Sequence, residues 1–226
     1  MKKLLLAILP ALIFAFNSNY TSHINKFINF ISCDKVLHKK AFDICYSCKH
    51  KHPLVVTYKL KGNLVKQTLK RKGMRFRPDY EVPTKCRSYT KNYSHTGFDR
   101  GHLAPNAAFD YNKAIQKETF LLSNIAPQKP QLNRRLWAKI EKFTRIQAIR
   151  YKNIEVVTGV CGNNGYIKNK VGIPEYWYKI IYIPKTNKTI AFLAPNINVG
   201  MSKAKVKDFI VNISKIKEKC YSYRKK

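Results

Sequence analysis

The segment LNRRLWAKIEKFTRIQAIRY, residues 132–151, is the part of this chain whose reading decides the fold. At about 100° per residue, Leu132, Leu136, Ile140, Phe143 and Ile146 fall on one side, which predicts an amphipathic helix. The segments beyond it have a different period. IEVVTGVCG, YWYKIIYIP and TIAFLAP are β-branched and aromatic runs of strand length, and the turn signal KTNK joins the last two. SKAKVKDFIVNISKIKEK predicts a second amphipathic helix with Ser202 as its N-cap. Upstream, LVVTYKL and LVKQTL flank Lys61 to Asn63 as a hairpin would, followed by the basic loop KGMRFRPDYEVP. NKAIQKETF predicts a short helix and FLLSNIAPQ a short buried strand. Hairpins interleaved with helices give an α+β class, a mainly antiparallel sheet flanked by helices.

Composition sets the chemistry. The chain has 226 residues, 45% of them hydrophobic, which is enough for one substantial core. It carries 44 Lys and Arg against 12 Asp and Glu, a formal charge of +32. Such an excess is costly within a fold and points to a polyanionic partner. Residues 1–18 have the form of a secretory signal: Lys2 and Lys3 precede an apolar run from Leu4 to Phe16. That run is shorter than the about 20 residues that span a bilayer. No small-x-small triplet marks a cleavage site before Asn19, so cleavage and an uncleaved N-terminal anchor both stay open. The expected destination is periplasmic or secreted, with no stable membrane insertion after processing. Residues 19–52 read as a Cys- and Lys-rich N-terminal extension, and residues 53–226 as the main domain.

Six cysteines, Cys33, Cys45, Cys48, Cys86, Cys161 and Cys220, suit an oxidising compartment and an even disulfide framework of undetermined pairing. CYSCKHKH, Cys45 to His52, contains residue types that bind zinc, but an exported chain favours disulfides. Lys49 also breaks the C-x-x-C-H pattern of haem attachment.

The most crowded polar cluster is FDRGHLAPNAAF, residues 98–109, with Asp99, Arg100, Gly101 and His102 in succession. A histidine whose ordinary pKa lies near neutrality suits a general base, and a strongly positive surround favours its neutral form. Hydrolysis of a phosphodiester also needs a cation at the phosphoryl and leaving oxygens. Mg²⁺ needs few protein ligands when water and phosphate supply the rest.

DRGH at 99–102, LSNIAPQ at 122–128, and then Asn133, Trp137 and Glu141 in N-x-x-x-W-x-x-x-E spacing resemble the sugar-non-specific DNA/RNA endonuclease family of the ββα-metal, or His-Me finger, superfamily. The resemblance covers roughly residues 53–220 and is sharpest between 98 and 145. It implies a ββα-metal nuclease fold and a metal-dependent endonuclease that cuts DNA and RNA with little sequence preference, leaving 5′-phosphates. It implies His102 as base, Asn133 as the direct ligand of Mg²⁺ (or Mn²⁺), and Glu141 acting on metal-bound water. Arg145 and Arg100 would face phosphate, and Asn124 would support the site by positioning His102. Asp99 would fix backbone or Arg100, and Trp137 would pack. The family also places an arginine upstream, near an aromatic-x-x-Asp pattern. Phe76 and Asp79 supply that pattern here, but the register falls on Met74, and Arg75 is favoured over Arg77. The partners would be DNA and RNA, held through the phosphate backbone. The rival reading is a catalytically inactive cationic DNA-binding or uptake protein, which has no need to keep His102, Asn133 and Glu141 together. A membrane-disrupting cationic protein lacks an amphipathic segment outside the two core helices.

Overall fold

The computed structural model describes residues 31–221, together with Phe14, Ala15, Asn19, His23, Asn25 and Ile28. Apart from Phe14 and Ala15, the signal segment 1–18 lies outside the described residues. Among these residues, no helix is long and apolar enough to cross a membrane.

In chain order, β1 (Phe14–Ala15) pairs with β2 (Ser32–Cys33), and β3 (Lys35–His38), β4 (Phe42–Ser47) and β5 (His52–Lys61) follow. Next come β6 (Asp99–His102), α1 (Lys113–Thr119) and β7 (Ile125–Gln128), then a π-helical turn over Leu132–Trp137 that runs into α2 (Ala138–Tyr151). The chain continues through β8 (Asn153–Cys161), the pair β9 (Tyr166–Ile167) and β10 (Val171–Gly172), β11 (Tyr176–Ile183) and β12 (Lys188–Pro195). It closes with β13 (Ile210–Val211) and α3 (Ile213–Tyr221). A seven-stranded sheet in the order β13-β12-β11-β8-β5-β4-β3 is antiparallel at every pairing. The α+β class expected from the sequence is the class observed.

The sheet separates two apolar layers. On one face, Leu132, Leu136, Trp137 and Ile140 of the long helix pack with Tyr58, Val156, Trp177 and Phe192. On the other, Ile216 of α3 packs with Val55, Val157, Tyr178 and Ile180. Period-2 alternation accounts for this division: Val156 and Val157 are neighbours in β8 and serve opposite layers.

Four expectations need correction. LVKQTL forms no strand, because β5 finds its second partner in the distant β8, with Lys61 opposite Asn153. The chain then leaves the sheet at Gly62, whose N–H donates to Lys152 O at 2.6 Å. The second amphipathic helix starts at Ile213, not near Ser202. Ile210 and Val211 are drawn into pairing with β12, and the Asn212 side chain then accepts from Ser214 N at 3.0 Å. Ile146 is exposed, since it lies about 120° around the helix from buried Ile140. The segment 19–52, read as an extension, supplies β3 and β4 of the main sheet, and β5 itself begins at His52.

The disulfides are Cys33–Cys45, Cys48–Cys86 and Cys161–Cys220. Cys48–Cys86 joins the β4–β5 turn to the end of the basic loop across a sequence separation of 38. By loop-closure entropy, replacing both cysteines with serine should cost about 3 to 4 kcal/mol. Urea unfolding of the double variant checks this, and an unchanged midpoint would refute it.

Candidate active site

β6 and β7 form a two-stranded antiparallel ribbon, Asp99 opposite Gln128 and His102 opposite Ile125, and the long helix follows: strand, strand, helix. The ribbon presses against the large sheet. A Cβ on Gly101 would come within 2.5 Å of the Gln128 side chain and 2.8 Å of the Trp177 ring, so the glycine between Arg100 and His102 is required by packing. Asp79 ties the basic loop down. It accepts from Lys39 Nζ at 2.9 Å and from Ser123 Oγ at 2.6 Å.

These elements enclose a cleft of about 410 Å³ lined by Asp99, Arg100, His102, Asn133 and Glu141, among others. Residues from two distant parts of the chain therefore meet. Asp99 makes the join. It accepts from Asn133 Nδ2 at 2.9 Å and, in bidentate fashion, from Arg134 Nε at 2.8 Å and Nη2 at 2.6 Å. Burial pushes its carboxyl up, but the hydrogen bonds from Arg134 and Asn133 and the charges of Arg134 and Arg100 outweigh this and hold it below the usual carboxylate range. Asp99 thus fixes Asn133 and Arg134, where the sequence had offered backbone or Arg100 as its partner. With its nitrogen held by Asp99, Asn133 has its carboxamide oxygen left as an acceptor.

The π-helical turn has a part in this. On a regular α-helix, the eight residues from Asn133 to Glu141 would leave the two about 80° apart. A turn with more residues per revolution takes up much of that offset, and both side chains line the cleft.

His102 sits between Phe76 and Phe120, with ring centroids 5.3 and 5.2 Å away. Its Nε2 is buried and has no hydrogen-bond partner. Burial, and then the positive charge of Arg71, push its pKa down to about 3, so the ring is a neutral base at ordinary pH. A buried nitrogen left unbonded carries a desolvation cost of about 1–3 kcal/mol, and such groups in native folds call for an explanation, of which catalysis is one. Asn124 acts through the backbone, not the imidazole. Its Oδ1 accepts from Ala104 N at 2.8 Å and its Nδ2 donates to Ala104 O at 2.9 Å, two residues beyond His102.

The arginines divide. Arg100 lines the cleft, with Nη2 donating to Thr90 O at 2.9 Å and Ser94 Oγ at 3.2 Å, while Nε is buried and unpartnered. Arg71 also lines it, its guanidinium carbon 4.9 Å from the Phe120 ring centroid. Arg75 is exposed and lies outside the cleft lining, as does half-buried Arg145. The charge of Arg145 is felt instead by Glu141 and Lys179. Trp137 is fully buried edge-on to Trp177, as expected for packing.

Lys179 is a member of this region that the sequence reading missed. It is fully buried on β11, donates from Nζ to Tyr58 OH at 3.0 Å and to Thr158 Oγ1, and lies 5.4 Å from the Trp137 ring centroid. Burial drives the Glu141 carboxyl upward while the charges of Lys179 and Arg145 oppose it. Burial likewise drives Lys179 downward while Glu141 opposes it.

The depressed histidines make stability depend on pH. His102 is held at about 3 and His52, through burial, at about 4, against 6.5 for a free imidazole. Below about pH 6.5 the unfolded chain takes up protons that the folded one refuses. The contribution of each ring is therefore full above that pH and falls by roughly 1.4 kcal/mol per unit as pH drops towards 4. Urea unfolding at pH 7.5, 6 and 5 measures the slope, and the His102→Asn variant should lower it by about 1.4 kcal/mol per pH unit.

The family model for DNA/RNA non-specific endonuclease matches residues 21–223. The chain is 29% identical over 177 residues to the mitochondrial endonuclease G of Homo sapiens, covering 71% of this chain and 60% of that protein. It is 29% identical over 200 residues to the mitochondrial nuclease of Saccharomyces cerevisiae, with 77% and 60% covered. It is 30% identical over 160 residues to nuclease C1 of Cunninghamella echinulata var. echinulata, with 64% and 63% covered. The matches thus span about three-fifths of the length of these relatives. A solved structure of the EndoG/EndoGI complex, described as giving the mechanism of EndoG inhibition, superposes with a TM-score of 0.75 at 25% identity, covering 81% of this chain and 82% of that one.

Proposed function

The chain belongs to the DNA/RNA non-specific endonuclease family, and from that membership we propose that it is an exported, metal-dependent endonuclease. It hydrolyses phosphodiester bonds in DNA and RNA with little sequence preference and leaves 5′-phosphates. One observation carries the reading: the His102 imidazole, neutral because burial and Arg71 depress its pKa, lines the same cleft as the Asn133 carboxamide, whose nitrogen is already held.

The residues suit Mg²⁺, or Mn²⁺ in its place. Asn133 and Glu141 offer oxygen donors, the preference of hard cations. Asn133 would hold the ion directly and Glu141 would orient its waters. Bound there, the ion supplies charge stabilisation at the phosphoryl and departing 3′ oxygens.

His102, kept neutral by burial and the charge of Arg71, accepts the proton of the attacking water. Phe76 and Phe120 fix the plane of its ring, and Asn124 fixes the strand end that carries it. Asp99 keeps Asn133 turned with its oxygen free and sets Arg134 at the rim. Arg71 and Arg100 offset charge on the bound phosphate, and Arg71 takes the place that the sequence had assigned to Arg75. Arg145 contributes from behind Glu141. Surface lysines supply affinity for any sequence, because they bind phosphates and not base edges. Three disulfides support an oxidising compartment.

The test is incubation of purified protein with supercoiled plasmid and with RNA, in Mg²⁺ and in chelator, at rising salt. Nicking of both substrates that chelator stops, that weakens steeply with salt and that yields 5′-phosphorylated ends is the expected result. Binding without nicking under every condition would favour the cationic binding protein instead.

A further inference from the structure

On the α3 side of the sheet, a second cavity of about 450 Å³, sharing no lining residue with the His102 cleft, opens beside the β4–β5 turn. Its walls include His50, His52, Glu175, Lys49 and Lys219, with the Cys161–Cys220 disulfide at one side. The cysteines of CYSCKHKH are spent on disulfides with Cys33 and Cys86. The histidines are not. The turn between them places Lys51 at a φ of 54°, and the two imidazoles stack with centroids 5.5 Å apart.

The two rings share a neighbour in Gly172. His52 is only 2% exposed, and its Nδ1 lies 2.7 Å from Pro53 O, so Nδ1 carries the proton and Nε2 the lone pair. His50 Nδ1 is buried without a hydrogen-bond partner. A Cβ on Gly172 would sit 2.9 Å from His50 Nδ1 and 3.3 Å from His52 Nε2. Both nitrogens therefore lie close to the position that a side chain on Gly172 would occupy, which the glycine leaves open while its own N–H is tied to His50 O at 2.8 Å.

We propose that His50 Nδ1 and His52 Nε2 form a second metal site, for a borderline transition cation of the zinc class, separate from the nuclease cleft. Neutral imidazole is the donor that zinc, copper and nickel prefer over magnesium. Burial lowers the pKa of both rings. Two protein nitrogens leave positions for water and for an anion. The Glu175 carboxylate stands on the same cavity wall, and Lys49 and Lys219 favour an anionic ligand on the ion over a bare cation. The site is chemically complementary to the cleft: nitrogen donors and no phosphate here, oxygen donors and phosphate there.

The experiment is calorimetric titration of the intact, oxidised protein with zinc sulfate in excess Mg²⁺. The wild type is expected to bind one zinc equivalent, and His50→Gln to bind at least tenfold more weakly. Asn133→Ala should bind zinc as the wild type does, so the result does not depend on whether the chain is a nuclease. His52→Gln should lose binding as well. Because His52 is buried, circular dichroism must first show that variant folded, and half-buried His50 provides the decisive substitution. In crystals soaked with zinc, an anomalous peak between the two rings is expected. No zinc uptake by the wild type, unchanged uptake by His50→Gln, or a peak elsewhere overturns the proposal.

Discussion

Replacing His102 with alanine is expected to lower plasmid cleavage by about 10²- to 10⁴-fold, the range that general-base catalysis contributes. Nucleic-acid affinity should stay within a factor of two. The separation follows from where the charges are. His102 is neutral and lies between Phe76 and Phe120, so it adds little to the attraction of a polyanion, whereas Arg71, Arg100 and Arg134 are untouched by the change. The substitution also leaves a ring-shaped space. Free imidazole added to the buffer should enter it and restore part of the rate, which a merely structural role for the side chain would not produce. Turnover comparable to wild type, with normal binding, would remove the base assignment.

The second large effect belongs to Asn133. Asn133→Ala should reduce cleavage by at least about 100-fold and raise the Mg²⁺ concentration needed for half activity, since outer partners of a metal alone cost 10- to 100-fold. Asp99 would keep Arg134 and lose one of its donors. The informative companion is Asn133→Asp. It keeps an oxygen for the cation but sets a carboxylate where the amide nitrogen now donates to Asp99 Oδ2 at 2.9 Å. Like charges at that distance repel, so this variant should recover less than oxygen chemistry alone would allow, and recover least at low Mg²⁺. Activity titrated against Mg²⁺ for the three proteins measures this. Superimposable curves would show that Asn133 has no part in holding the ion.

Much of the molecule was legible before any coordinates. β8, β11, β12 and α1 were readable because their periods are strong and bounded by turn residues. The meeting of Asp99, His102, Asn133 and Glu141 was readable because the blocks DRGH and N-x-x-x-W-x-x-x-E resemble those of the nuclease family, and the resemblance implies that they share one site. What escaped depends on partners far away in the chain. LVKQTL has strand composition, but β5 pairs with a segment some ninety residues on, and no local pattern reports that. Arg71 escaped because it lies just before the basic loop, where no motif or period marks it. Lys179 left a usable signal. Trp177, Lys179 and Ile181 alternate onto one face of β11, and a lysine in such a row is either an edge residue or a buried charge. With a strand paired on each side, β11 leaves only the second option.

The π-helical turn over Leu132–Trp137 also says what kind of change this segment can absorb. Most residues outside Asn133, Trp137 and Glu141 could be exchanged for others of similar character without moving those three relative to each other. Losing or gaining a single residue there would turn the start of the helix by about 100° against the part that follows, taking Asn133 away from the cleft and Leu132 out of the core together. In this stretch it is the count of residues, more than their identity, that drifting descendants of the sequence are least free to alter.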